Sequence, residues 1–438
     1  MSKLTRRTFL HTTALAATYA ALPLKARAFA PSDRIRTAHI GVGGMGGADL
    51  NSISTHPAVQ VVALCDVDAN NLNRAGEKFP DAKRFADYRK LFDELADQID
   101  AVVVSTPDHT HAPAAMSALN AGKHVYCQKP LTHEVYEARR LREVAEQKKL
   151  VTQMGIQVHG SHPYRLATAI IQDGAIGKVR EVHAWSNKNW GYDGGPIEGS
   201  GQVPATLDWD LWLGVAPERP YAPNFHPGNW RRFIDYGTGT LGDMGVHIFD
   251  TPYRALKLTA PKWAKTTCRK PTGVGHPTRN KVEYEFPGTQ YTTDTLRWVW
   301  YDGEWAPPAE LKDLVPEVQN LPGQASLFIG EKGVMLLPHV GQPILSPKKD
   351  FADYIPPMIT PVNHYHQWVD ACLGRTEASA NFSYAGPLTE ALLLGVVANR
   401  FPEQRLEWDA AELKVTNLPE ANQLIRRQYR KGFEVENL

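Results

Sequence analysis

The sequence has few cysteines and no excess of charge of either sign. Cys65, Cys127, Cys268 and Cys372 are far apart and form no C-x-x-C pair, which argues against a zinc site or a disulfide framework. We therefore expect four free and mostly buried thiols. With 48 basic and 47 acidic side chains the net charge is +1, so nothing in the sequence indicates a surface for nucleic acid.

Long apolar runs, internal repeats and low-complexity tracts are also absent from the sequence. No run approaches the about 20 apolar residues that a stable membrane span requires. Hydrophobic residues make up 42% and charged residues 22% of the chain, which are the proportions of a globular protein. A chain of 438 residues is too long for one ordinary core, so two domains are expected.

The first thirty residues have the pattern of an export signal. Thr5-Arg6-Arg7-Thr8-Phe9-Leu10 is a twin-arginine signature followed by a mild apolar run. Ala26-Arg27-Ala28 and Ala28-Phe29-Ala30 are the candidate cleavage sites. We predict a twin-arginine signal over residues 1–30 and a periplasmic or otherwise exported protein. Because this route carries folded proteins, a cofactor bound in the cytoplasm can travel with the chain.

A glycine turn lies between a short strand and a helix. Arg36–Ile40 reads as a strand, and Gly41-Val42-Gly43-Gly44-Met45-Gly46 follows it directly. In such turns the first glycine permits the tight bend, the second lets the backbone approach a pyrophosphate, and the third lets helix and strand pack closely. The helix amino terminus faces the phosphates with its partial positive charge. The motif predicts a dinucleotide site.

An acidic residue completes this motif. Val59–Leu64 is a second apolar strand, and Asp66 follows it, twenty residues after Gly46. Asp66 can accept hydrogen bonds from both ribose hydroxyls of NAD and repel the 2′-phosphate of NADP, a repulsion to which Asp68 adds. Because no arginine stands at this turn, we predict NAD as the cofactor.

Strands and helices continue to alternate up to about residue 155, which predicts a parallel, doubly wound Rossmann sheet over residues 34–155. Ligands of such sheets bind beyond the carboxyl ends of the strands, where the Thr106-Pro107 and Gln128-Lys129-Pro130 turns join the glycine turn. The predicted cofactor contacts are Gly41, Gly43, Gly44, Met45, Gly46, Asp66, Thr106, Pro107, His111, Gln128 and Lys129.

The regular alternation of strand and helix patterns ends after Gly155. Several strand candidates between residues 178 and 337 are separated by glycine or proline. They predict an α/β domain over residues 156–438 with an open, mostly antiparallel sheet that packs on helices or on another subunit. His364–Cys372 and Leu388–Phe401 read as helices, and we expect the second to pack back on the first domain.

Two separate pieces of sequence carry the candidate catalytic groups, Lys129 and Gly242-Asp243-Met244-Gly245-Val246-His247. If Asp243 opens a helix, Asp243 and His247 share one face of it. Oxidation of a carbinol needs a base for the hydroxyl proton, and His247 suits that role near neutral pH. Lys129 can donate a hydrogen bond to the same oxygen or, made neutral by burial, serve as the base itself. Asp243 would orient the imidazole or bind another hydroxyl.

Other candidates lie in loops rich in tryptophan. Trp190 and Trp230 are candidate platforms for a sugar ring, with packing in the core as an equal alternative. Arg231 is a candidate partner for an acidic sugar, with a solvated position as the alternative. His109 and His111 lack the spacing of metal ligands, so we expect packing or nucleotide contact and no metal site.

Four motifs together resemble landmarks of the Gfo/Idh/MocA oxidoreductase family, and they occur in the family's order. They are Gly41–Gly46, Ser105–His111, Gln128-Lys129-Pro130 and Gly242–His247. The resemblance implies a Rossmann domain, a second α/β domain with an open sheet, and oligomers joined through such sheets. It implies Lys129, Asp243 and His247 as the catalytic set and sugars, cyclitols or their derivatives as substrates. One departure is Gln128, where the family has glutamate.

Three functions follow from this combination. The first is an NAD-dependent oxidoreductase that acts on a carbinol of a sugar, cyclitol or glycoside and returns the hydride within a redox-neutral cycle, because an exported protein has no steady supply of NAD. The second is a glycoside hydrolase that works through a transient keto sugar. The third is a sugar-binding protein without catalysis.

Overall fold

Residues 33–438 are described by a computed structural model. The predicted twin-arginine signal lies outside the described residues and stays a prediction. Within the described part of the chain, no helix is both long and apolar enough to cross a membrane. The four cysteines are free thiols, two of them buried and two half-buried.

The amino-terminal sheet has six parallel strands in the order β3-β2-β1-β4-β5-β6. Its strands are β1 (Ile35–Ile40), β2 (Val59–Cys65), β3 (Lys83–Phe85), β4 (Ala101–Val104), β5 (His124–Gln128) and β6 (Thr152–Gly155). Its helices are α1 (Gly44–Ser54), α2 (Ala69–Lys78), α3 (Tyr88–Leu95), α4 (Asp108–Asn120) and α5 (Val135–Lys148). The predicted doubly wound sheet is confirmed. The strand order reverses between β1 and β4, which is where such sheets bind their ligands.

Three elements of this half have no clear signal in the sequence. Helix α2 reads ANNLNRAGEK and buries only Ala75 and Gly76, so it has no apolar stripe. Strand β3 has three residues, none of them fully buried. Helix α4 begins at Asp108, four residues before its apolar run.

The second sheet has nine strands in the order β13-β12-β11-β7-β10-β9-β8-β14-β15. They are β7 (Val179–Ser186), β8 (Trp263–Cys268), β9 (Arg279–Pro287), β10 (Thr292–Gly303), β11 (Gln324–Gly330), β12 (Val334–Pro338), β13 (Ile344–Ser346), β14 (Arg405–Asp409) and β15 (Lys414–Val415). Only β7 and β10 pair in parallel, so the predicted mostly antiparallel sheet is confirmed. In β9 every second residue is buried, as expected of a strand with one face on the core.

The remaining helices follow β6 in the chain, and some of them pack on one face of this sheet. They are α6 (His162–Gln172), α7 (Trp209–Leu213), α8 (Val246–Ala255), α9 (His364–Cys372) and α10 (Phe382–Ala398). Helix α10 is buried on nearly all sides and packs against α5 of the first sheet. It begins six residues before the predicted Leu388, where the side chain of Asn381 accepts a hydrogen bond from the backbone of Tyr384.

The other face of the second sheet is partly covered by the chain itself. Residues 304–323 pack over the end of the sheet formed by β7 and β10–β12. Farther along, Arg297 pairs with Glu181 and Glu283, and Lys281 lies 2.8 Å from Glu283. This stretch of the face is therefore charged, and the predicted homo-oligomer through the sheet stays a prediction.

Candidate functional site

A cavity of about 380 Å³ opens at the carboxyl ends of the parallel strands, and we call it the cofactor cleft. Seven of the predicted cofactor contacts line it: Gly41, Gly43, Gly44, Met45, Asp66, Thr106 and Pro107. The glycine turn, the end of β2 and the turn after β4 thus meet at one cavity, as the parallel sheet requires.

The glycine turn fits a phosphate-bearing cofactor. Gly41 has a φ of +82°, and a Cβ there would lie 2.5 Å from the carbonyl oxygen of Ser105. A Cβ on Gly46 would lie 2.1 Å from the carbonyl oxygen of Gly41, so the start of α1 can pack on the turn only without a side chain. At Gly44 a Cβ would meet no atom within 4 Å. The turn therefore leaves the helix amino terminus open to the cleft, as pyrophosphate binding requires.

Asp66 ties this turn to the end of β2. One carboxylate oxygen accepts hydrogen bonds from the backbone of Val42 at 3.0 Å and Gly43 at 3.2 Å, and the other from the backbone of Asp68 at 2.9 Å. Burial raises the pKa of Asp66, although the backbone hydrogen bonds oppose that shift. The carboxylate fixes the turn and lines the cleft at the same time.

Four predicted contacts do not line the cleft, namely Gly46, His111, Gln128 and Lys129. His111 is buried behind the cleft wall, where its two ring nitrogens each lie 2.8 Å from a carbonyl oxygen, those of Thr106 and Pro130. Burial lowers the pKa of His111, and a neutral imidazole can donate to only one of the two. His111 therefore joins the two turns, and its predicted contact with the cofactor stays a prediction.

Gln128 is turned toward helix α1. Its amide donates to the carboxylate of Asp49 at 2.9 and 3.1 Å, and the hydroxyl of Ser105 donates to the same carboxylate at 2.7 Å. Burial raises the pKa of Asp49 to about 6, although these two hydrogen bonds lower it. A glutamate at position 128 would place a second carboxylate beside Asp49, so the amide and Asp49 form a matched pair.

The roof of the cleft comes from loops far along the sequence. It includes Leu211, Trp212, His226, Trp230 and Phe433. Trp209 and Trp212 stack on each other with ring centroids 4.7 Å apart and belong to a buried apolar cluster. No sequence pattern for a strand or helix marks these residues. Their high content of aromatic side chains is the one sequence signal that they carry.

Lys129 and Asp243 form a buried ion pair beside the cleft. The ammonium of Lys129 lies 2.6 Å from a carboxylate oxygen of Asp243 and donates to its backbone carbonyl at 3.2 Å. Burial lowers the pKa of Lys129. Burial would also raise the pKa of Asp243, but the charges of Lys129 and Arg231 hold it well below its usual range. Asp243 is therefore an anion with fixed partners.

Asp243 lies inside a helical segment and does not open it. Asp243 lies in the middle of a π-helical turn, Leu241–Gly245, which continues into α8. Such wide turns inside helices often occur at functional sites. A Cβ on Gly242 would lie 1.8 Å from the hydroxyl of Thr238, so the turn needs glycine to pack in this position.

Asp243 does not orient the imidazole of His247 as expected. Its second oxygen accepts a hydrogen bond from the indole of Trp190 at 2.7 Å. Within residues 33–438, Nδ1 of His247 is buried and has no hydrogen-bond partner. Burial and the charge of Lys129 lower the pKa of His247 far below its usual value. The imidazole is therefore neutral and can accept a proton.

Three further polar residues surround His247. The ring of His339 lies 5.6 Å from that of His247 between centroids, and the hydroxyl of Tyr164 lies 2.6 Å from Nδ1 of His339. The charge of Lys188 also lowers the pKa of both histidines. No sequence signal identifies these residues, because Lys188 and His339 are single residues just after β7 and β12.

The predicted substrate residues connect the cleft with the ion pair. Trp190 bonds to Asp243, as described, and Trp230 lines the cleft. The guanidinium of Arg231 lies 4.1 Å from the ring centroid of Trp230 and 3.4 Å from carboxylate oxygens of both Asp108 and Asp243. Arg231 is therefore a paired, partly buried residue that reaches from the cleft to Lys129 and Asp243.

Comparison with known proteins agrees with this architecture. Residues 35–156 match the model of an oxidoreductase family with an NAD-binding Rossmann fold, and residues 180–258 match that family's C-terminal alpha/beta domain. The chain is 34% identical over 148 residues to inositol 2-dehydrogenase of Salmonella paratyphi B, covering 33% of this chain and 43% of that protein. It is 25% identical over 176 residues to levoglucosan dehydrogenase of Pseudarthrobacter phenanthrenivorans, covering 40% and 37% of the two chains. The matched segments thus span about two fifths of these curated relatives.

A solved structure shows the same fold over most of the chain. The WlbA dehydrogenase of Bordetella pertussis, crystallised with NADH and UDP-GlcNAcA, superposes with a TM-score of 0.61 at 14% identity and covers 86% of this chain and 99% of its own. The two matched domains and the cleft between the glycine turn and its roof lead to one conclusion. Residues 35–156 form an NAD-binding Rossmann domain of the Gfo/Idh/MocA oxidoreductase family, and residues 180–258 match the C-terminal alpha/beta domain of the same family.

Proposed function

We propose that this protein is an NAD-dependent oxidoreductase that acts on a carbinol of a sugar, cyclitol or glycoside and works in a redox-neutral cycle with a retained NAD. The observation that carries the proposal is the buried pair of Lys129 and Asp243 beside the cofactor cleft, with the buried, unpartnered Nδ1 of His247 four residues after Asp243. The dehydrogenase names of the relatives, among them an inositol and an anhydrosugar enzyme, support the substrate class.

The three side chains have different tasks in this proposal. When bound, NAD supplies the acceptor for a hydride from the carbinol carbon. His247 accepts the hydroxyl proton, because its lowered pKa keeps the imidazole neutral. Lys129 uses two contacts to Asp243 and has a remaining N–H to stabilise negative charge on the substrate oxygen. Asp243 keeps Lys129 in place and offsets the cost of burying its charge.

Residues 34–155 and 156–438 are the two functional halves of the proposal, one for the cofactor and one for the substrate. We further propose that residues 1–30 direct the folded protein through the twin-arginine pathway. Substitution of Arg6 and Arg7 by lysine should keep a reporter fused to this segment inside the cell, whereas export of that variant would contradict the assignment.

The first test is to purify the protein without added nucleotide, denature it, and measure the NAD(H) that is released. Near-stoichiometric NAD(H) is expected. The loaded protein is then offered pairs of sugars and a set of glycosides, and product analysis separates hydride transfer between sugars from cleavage of a glycoside. Sugar binding without any turnover in either screen would overturn the enzymatic proposal in favour of a binding protein.

A further inference from the structure

The last part of the chain reaches the cofactor cleft although it belongs to neither sheet. Residues 426–438, the carboxyl-terminal strap, contain no helix or strand. The ring of Phe433 lines the cleft together with Ala86, Asp87 and Tyr88, which follow β3. In this sheet β3 is the edge strand next to β2, and Asp66 directly follows β2. Since a pyrophosphate binds at the β1 turn and a ribose at the acid after β2, Phe433 stands at the adenine end of the cleft.

Phe433 is held by two cations. The guanidinium carbons of Arg89 and Arg430 each lie 4.3 Å from its ring centroid. Arg89 pairs with Asp87 at 2.7 Å and donates to the carbonyl of Gly432 at 2.8 Å. The Phe433 ring is therefore fixed at the wall, although it is only half-buried.

The strap is also fastened to the roof of the cleft. Arg430 donates through its side chain to the carbonyls of Gly214 at 2.9 Å and Asp210 at 2.8 Å, and through its backbone to that of Val215 at 3.2 Å. Gly214 and Val215 line the cleft. The strap thus bridges the first sheet and the roof across the adenine end.

Contacts on both sides of Phe433 hold the strap against the first domain. Upstream, the hydroxyl of Tyr429 donates to Glu137 at 2.6 Å, and Arg427 lies 3.0 Å from Glu134. Downstream, the side chain of Asn120 donates to the carbonyl of Glu436 at 2.8 Å. A cofactor that enters or leaves past Phe433 therefore has to displace an anchored segment.

We propose that Phe433 is a binding residue for the adenine ring of NAD, and that the strap slows the release of the cofactor. A nucleotide base has an apolar aromatic face, which can pack against the part of the Phe433 side chain that lines the cleft beside the two guanidinium groups. The proposal deepens the proposed function, because it identifies what keeps NAD in a redox-neutral protein.

The test is the rate at which NADH leaves the full-length protein. The protein is loaded with NADH and mixed with a large excess of NAD, and loss of the fluorescence of bound NADH is followed by stopped flow. Phe433→Ala should release NADH about tenfold faster than wild type, and Phe433→Trp should release it at or below the wild-type rate. Val435→Ala is the matched control, because Val435 lies in the same strap and packs on the core without lining the cleft.

The outcomes separate the two proposals, because NADH release needs no sugar. Equal release rates for Phe433→Ala, Val435→Ala and wild type would overturn the role of Phe433 even if sugar turnover is found. Faster release from Phe433→Ala, with no turnover of any carbinol, would uphold the strap and overturn the proposed function. If Phe433→Ala does not fold, Phe433→Leu replaces it, and an unchanged rate in that variant counts against the proposal. A protein that binds no NADH contradicts both.

Discussion

Asp66 in the cofactor cleft is held mainly by backbone groups, whereas Asp243 beside Lys129 is held mainly by other side chains. Asp66 accepts hydrogen bonds from three backbone N–H groups. Asp243 is instead held by the side chains of Lys129, Trp190 and Arg231. A backbone partner stays in place when a side chain is changed, but a side-chain partner does not. The two regions should therefore respond differently to single substitutions, and each experiment below changes one residue at a time.

The largest effect is expected from Lys129→Ala. It should lower turnover by about a thousandfold, because the substrate oxygen loses its charged donor. The NAD content should not change, because Lys129 does not line the cleft. Arg231 and Trp190 still contact Asp243 and should let the variant fold. Turnover is measured with the best carbinol from the screen, and Lys123→Ala is the control lysine. Full activity of Lys129→Ala would contradict its catalytic role.

His247→Asn should lower turnover by about a hundredfold and again leave NAD content unchanged. The pH profile of the wild type sharpens the assignment. The pKa of His247 is lowered far below its usual value, and a base is active above its pKa. If His247 is the base, kcat/KM should not vary between about pH 6 and about pH 8. If neutral Lys129 is the base, kcat/KM should instead rise about tenfold per pH unit below the pKa of that lysine.

Asp66→Ala should affect the other region. We expect NAD to bind about tenfold more weakly, because a hydrogen bond to a charged group is lost, and the preference for NAD over NADP to fall. Titration with both nucleotides measures this, and Asp81→Ala is the control, since Asp81 is exposed and does not line the cleft. An unchanged ratio of the two affinities would remove Asp66 from cofactor selection.

Asp49→Asn should change mainly the pH dependence of stability. The pKa of Asp49 is raised to about 6 in the folded protein, so the folded state binds this proton more tightly than the unfolded chain. Its contribution stabilises the fold at low pH and is lost as the pH rises from about 4 to about 6, a difference of about 3 kcal/mol. The asparagine variant should gain stability relative to wild type over that range. Urea unfolding at several pH values measures this, with the exposed Asp93→Asn as control, and parallel curves for Asp49→Asn and wild type would exclude the effect.

Sequence patterns predicted the cofactor region well because its signals are local. Strand β1, the glycine turn, β2 and Asp66 follow one another closely in the chain, and a side chain at Gly41 or Gly46 would clash with nearby backbone. The same patterns proposed Lys129, Asp243 and His247 from residue type and family resemblance, and these residues do lie near one another. Their bonding was not predictable, because it depends on a π-helical turn and on Trp190, 53 residues before Asp243.

The sequence patterns did not predict the roof or the strap, and the reason is related. Trp212 lies in the five-residue helix α7 and Phe433 in an irregular segment. Both line the cleft together with residues more than a hundred positions away, such as Thr110 and Ala86. No periodicity or capping signal records such a contact. The substitution of glutamate by Gln128 was visible in the sequence, but its partner Asp49 was not, because strand β5 and helix α1 come together only in the folded sheet.

The position of Phe433 in the chain also affects the order in which the parts of the cofactor cleft are synthesised. During synthesis the glycine turn emerges first, the roof around Trp212 emerges much later, and Phe433 emerges last of the three. Domains fold as units in the order in which they are made, so the first sheet can form its nucleotide site while the adenine end still lacks its wall. On the proposed role of Phe433, the cofactor can therefore be loaded before its enclosure is complete, and translation then sets the order of the two events.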